Sequence, residues 1–130
     1  MKKFILFFIL MFVVFSNTAF AEGEYDGIWN TPIGFISIHE NNGMLGAILL
    51  QVGNDMTLWT VSAGVLEGNE ARFRSIPLTS KDPTTVIDVT FESEDIFSAN
   101  AVACTPEALC EEFNMIEEQL GWPIQGEKIW

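Results

Sequence analysis

The stretch "YDGIWNTPIGFISIHENNGMLGAILL", residues Tyr25 to Leu50, carries the pattern that decides the fold. Gly27 to Asn30 reads as a first short strand, interrupted by Thr31-Pro32. Gly34 to Glu40 follows with β-branched and aromatic residues, Asn41-Asn42-Gly43 supplies residues that tolerate positive φ, and Met44 to Val52 runs back. Two apolar runs joined by such a turn are the signature of a β-hairpin.

The same alternation of runs and turns continues downstream. Gly53-Asn54-Asp55 marks a turn, Met56 to Ala63 a strand, and Gly64 a break before Val65-Leu66. Gly68-Asn69 reads either as a turn or as a bulge inside a longer strand reaching Ser75. After a polar loop from Pro77 to Pro83, Thr84 to Glu92 alternates, with Val86, Asp88 and Thr90 on one face and Ile87, Val89 and Phe91 on the other. An acidic turn at Ser93-Glu94-Asp95 leads into Ile96 to Ala103. Seven or eight short strands with no helix between them predict an all-β fold, an antiparallel meander forming a small barrel or a flattened sandwich. Parallel α/β folds are excluded, because they need a helix at every crossover.

The end of the chain changes period. Thr105 suits an N-cap and Pro106 a first helical position, while Leu109, Phe113, Ile116 and Leu120 fall on one stripe of a 3.6-residue helix. Gly121 and Pro123 stop it, which predicts an amphipathic helix over about 105–120 with Glu111 and Glu118 on its wet face. The tail Trp122 to Trp130 is apolar enough to dock, as a further strand for instance.

Ahead of this domain, Lys2 and Lys3 precede the apolar run Phe4 to Phe15, and Ala19-Phe20-Ala21 closes on small residues at the cleavage spacing. Residues 1–21 therefore read as a secretory signal peptide, and residues 22–130 as a single exported domain, in the periplasm or secreted. Cys104 and Cys110 are the two cysteines of the chain, so an exported domain predicts one disulfide between them.

The chain carries a formal charge of −12. All eighteen acidic residues follow the signal, where only Arg72, Arg74, Lys81 and Lys128 oppose them. Such a surface repels nucleic acid and anionic lipid, so no nucleic-acid partner and, once the signal is cleaved, no membrane is expected. It favours solubility or a basic protein partner.

Catalytic signals are sparse. His39 is the sole histidine, with Ser37 on the same strand face and no carboxylate identifiable to orient it, so no enzyme activity is expected. Cys-x5-Cys is not the redox spacing, no His and Cys cluster has zinc spacing, and no loop matches an EF-hand, so no cofactor and no metal are expected. Arg72 and Arg74 share one face of a strand, with Phe73 between them on the other, placed to grip a carboxylate or to pair with surplus surface acid. Trp29, Phe35, Trp59, Phe73, Phe91 and Phe97 either line a cavity or fill a core.

Two resemblances bear on these residues. Gly27, Trp29, Asn30, Gly34, Leu45 and Gly46 stand at places similar to the first hairpin of the avidin group of barrels, with Phe35 where such a protein has a biotin-binding serine. The likeness implies a barrel hairpin without the biotin contact. Over Gly27 to Cys110, "GIWNTPIGF", "LWTVSAGVLEGN" and "VIDVTFES" resemble exported proteobacterial β-meander proteins of uncharacterised function, which implies a fold and an address in the cell envelope. Both resemblances place the Trp29 ring as a plug at one end of a barrel.

The expected function is a small non-catalytic binding module. Its ligand, a small apolar molecule, would sit among Trp29, Phe35, Trp59 and Phe91. The alternative is an acidic inhibitor or interaction protein for a basic envelope protein such as a cell-wall hydrolase.

Overall fold

A computed structural model describes residues 23–52, 57–121 and 123–130. The expected signal at 1–21 and the turn at 53–55 lie outside the described residues.

Among the described residues, eight antiparallel strands follow one another in chain order: β1 (Gly27–Thr31), β2 (Gly34–Asn41), β3 (Met44–Val52), β4 (Thr57–Glu67), β5 (Glu70–Ser75), β6 (Thr84–Phe91), β7 (Ile96–Thr105) and β8 (Ile124–Lys128). One helix, α1 (Ala108–Leu120), lies between β7 and β8. Each strand pairs with the next, and β8 returns to β1 through Trp29 opposite Lys128 and Asn30 opposite Glu127. The meander is thus a closed barrel rather than a sandwich, each described strand having a neighbour on both sides. The chain end strengthens the seam, with Ile28 N–H donating to the Trp130 carbonyl and Ile129 N–H to the Ile28 carbonyl, both at 2.8 Å.

The opening stretch forms the predicted hairpin. Asn42 (φ 52°) and Gly43 (φ 78°) make a two-residue turn with both residues in the left-handed region, the geometry whose twist matches the flanking strands. From Asn41 opposite Met44 the β2–β3 register runs without a slip to Phe35 opposite Leu50. Gly68-Asn69 resolves as the turn between β4 and β5.

Two expectations are corrected. Gly64 does not break its strand: β4 runs through it, opposite Phe73. A side chain there would meet the Arg72 carbonyl, so the missing Cβ lets β5 approach closely. The helix starts at Ala108 rather than 105, because Thr105 still pairs with Thr84 at the end of β7. Glu107 occupies the cap position and makes no side-chain capping bond. Gly121 ends the helix as expected, in the left-handed conformation (φ 74°) with its N–H on the Glu117 carbonyl at 2.8 Å. The docked tail is β8.

Alternation decides the core. Among the described residues, Trp29, Leu45, Phe91 and Phe97 are the largest fully buried side chains, and they gather at the barrel end that holds the 42–43 and 68–69 turns. The Trp29 ring lies 5.1 Å from Phe97 and 5.8 Å from Phe91, tilted against both, in the preferred range for aromatic pairs. Its indole N–H donates to the Tyr25 carbonyl at 3.3 Å, so the one polar atom of the indole is satisfied.

Candidate functional site

Along several strands the inward residues shrink or become polar with distance from this plug. Strand β6 runs inward from Phe91 through Val89 and Ile87 to Thr85, and β7 from Phe97 through Ala99 to Ala101. On β4 the sequence is Leu66, Gly64, Ser62, Thr60. Rings fill one end of the barrel, and smaller side chains leave space at the other.

That space is a cavity of about 170 Å³. Its floor is Ile38, Ala47, Phe73, Val89 and Phe97, and its middle wall includes Ile36, Leu49 and Ile87. Ser62 and Thr60 stand beside Ala47 and Leu49 on the adjoining strand, Gln51 and Thr85 lie toward the mouth, and Thr31 joins from β1. The Thr31 hydroxyl donates to the Gly34 carbonyl at 2.7 Å and accepts from Ile33 N–H at 3.3 Å, so it is already engaged. Among the described residues no charged side chain lines the cavity.

The helix supplies one flank of the mouth. Its apolar stripe packs against β7 and β8, and Leu109 and Phe113 reach the cavity. The expected disulfide is formed: Cys104 near the end of β7 is bonded to Cys110 in the first turn of α1, which ties the helix start to the barrel wall. Of the four acids of the helix, Glu111, Glu112 and Glu118 are exposed and Glu117 is half-buried.

Of the four residues proposed from sequence, the three whose side chains are described, Trp29, Phe35 and Phe91, do not line this space. Trp29 is fully buried in the plug and Phe91 is 2 % exposed beside it. Phe35 is 44 % exposed, on the outward face of β2. Trp59 stands opposite Leu50 in the β3–β4 ladder, and its side chain lies outside the described residues. Large aromatic side chains mark the plug. The signal for the cavity was the opposite one, inward positions held by Ala, Thr and Ser near the far strand ends.

The remaining polar clusters lie outside the barrel. Arg72 grips Asp88 across β5 and β6, with Nε and Nη2 on the two carboxylate oxygens at 2.6 and 2.7 Å, so it pairs with surface acid. This fork holds the Asp88 carboxyl below the usual carboxylate range. His39 is exposed, and its Nδ1 lies 3.1 Å from the Asp26 carboxylate, an orienting acid that the sequence did not reveal. Asp26 also accepts from Glu40 N–H, so it pins the segment ahead of β1 onto β2. Among the described residues no group of three His, Cys, Asp or Glu side chains could hold a metal, and no helix is long and apolar enough to cross a membrane.

Comparison with protein-family models, with curated proteins and with solved structures finds no match to this chain.

Proposed function

We propose that this chain is a small exported binding module, without catalysis, that holds a small apolar molecule inside its barrel in the periplasm or outside the cell. The observation that carries the reading is the cavity between the barrel wall and α1. An apolar cavity of about 150 Å³ elsewhere suffices for benzene, so about 170 Å³ suits a ligand of roughly one aromatic ring. The Cys104–Cys110 bond is compatible with an oxidising compartment.

The test is native mass spectrometry on protein recovered gently from the compartment to which it is exported. A small bound mass released on denaturation supports the module and identifies its ligand. A bare chain that also fails to take up benzene in solution overturns it.

A second reading is an acidic inhibitor or interaction protein for a basic envelope protein. It is favoured by α1, where Glu107, Glu111, Glu112 and Glu118 are exposed and no basic residue occupies the last turn. Ionic strength separates the two readings. Association through this acid weakens as salt rises, whereas uptake of an apolar molecule into the barrel is insensitive to it.

A further inference from the structure

We infer that the cavity selects an uncharged ligand, a ring-sized apolar body bearing one hydroxyl or a comparable hydrogen-bonding group, oriented with that group toward Thr60 and Ser62. The inference rests on the reading of the cavity as the ligand site and adds the chemistry of what it takes.

Two observations carry it. The first is charge. The chain has eighteen acidic residues, yet among the described residues none of them, and no lysine or arginine, reaches the cavity. A carboxylate or ammonium group taken into this space would lose its water and meet no counter-charge, a cost of several kcal/mol by ordinary desolvation. An uncharged ligand avoids that cost.

The second is the segregation of polarity around the wall. In a closed ring of eight strands taken in order, β4 stands across the barrel from β8. Thr60 and Ser62 project from β4, in register with Leu49 and Ala47 of β3, and Gln51 lies one inward step beyond Leu49. The facing side is apolar at Ala99 and Ala101 on β7, Ile124 on β8, and Leu109 and Phe113 on α1; of the two further hydroxyls in the lining, that of Thr31 on β1 is already bonded to the Gly34 carbonyl and that of Thr85 stands on β6, away from this side. Hydroxyl groups can donate and accept, so the polar wall serves either a donor or an acceptor on the ligand. A ligand apolar on all sides would leave that wall without the bond it can make. One polar at both ends would press a hydrogen-bonding group against Phe113 and the alanines.

The test compares three probes of one shape, benzene, phenol and benzoate, titrated at about pH 7 into the purified full chain with its disulfide oxidised. Binding is followed by ligand-observed NMR and calorimetry. Phenol is expected to bind about three- to tenfold more tightly than benzene, the worth of one hydrogen bond between uncharged groups, and benzoate not to bind measurably. Thr60→Val together with Ser62→Ala is expected to bring the ratio of phenol to benzene affinity down to about one, and continued binding of benzene shows that the variant cavity is intact. Benzoate binding as tightly as phenol overturns the selection for an uncharged ligand. Phenol equal to benzene in the parent protein overturns the polar wall. Binding of none of the three overturns the cavity as a ligand site and this inference with it.

Discussion

Tyr25 lies flat against Phe91, with ring centroids 3.9 Å apart and planes 12° apart. Phe91 ends β6, whereas Tyr25 precedes β1 and belongs to no strand, so a residue outside the sheet completes the plug at the closed end. Burial, and then the nearby acids Glu24, Glu40 and Glu94, hold the Tyr25 hydroxyl above the usual tyrosine range.

That shift has a definite sign. The unfolded chain releases the Tyr25 proton at a lower pH than the folded one, so the folded state binds more protons above about pH 10 and stability falls as pH rises further. Below that range the contribution is fully present. Tyr25 is the sole tyrosine, so tyrosinate absorbance reports on it alone and should rise later in the folded protein than in urea. Tyr25→Phe should remove the alkaline decline attributable to this group, measured by denaturation at several pH values.

Trp29 and Phe35 should part company on mutation. Trp29→Ala opens a void among Phe91 and Phe97 and should cost about 3–5 kcal/mol in urea denaturation. Phe35→Ala removes a half-exposed ring from the outer face and should change stability by about 0.5 kcal/mol, with uptake of benzene unaltered. A large loss of binding in Phe35→Ala would show that the outer face contributes to the site.

Gly126 sits against the buried Phe97 ring, and a methyl group there would overlap the ring edge. Gly126→Ala should therefore destabilise by about 1–3 kcal/mol through displacement of that ring. The fluorescence of Trp29, which packs on Phe97, should change with it.

At the acid side, the Asp88 carboxyl is held low in the folded state by the Arg72 fork. Its contribution is present above the unfolded carboxylate range and is lost as pH falls below about 4. Asp88→Asn should flatten the acid limb of the stability profile while changing stability little at neutral pH, since both side chains are half in water.

The disulfide closes a loop spanning six positions, worth about 2–3 kcal/mol in the chain-entropy account. Replacing both cysteines by alanine should leave the barrel intact, because its ladders do not depend on the bond. Amide exchange over residues 108–120 should rise ahead of exchange in β1–β6.

What the chain determines by itself is local. The Asn42-Gly43 turn, the alternation from Val86 to Phe91, the stripe from Leu109 to Leu120 stopped at Gly121, and the cysteine pair are each legible within a dozen residues. Turn chemistry and side-chain period act on neighbours, so no partner strand is needed to read them. Closure of β8 on β1, the passage of β4 through Gly64 and the late start of α1 were decided by pairing with distant residues. The site belongs to this second group. Phe97 and Phe91 become a plug, and Ala101, Thr60 and Ser62 a cavity wall, only because closure sets the inward positions of eight strands at different depths along one barrel. Depth within a closed barrel is a property of the whole ring of registers, and no single segment encodes it.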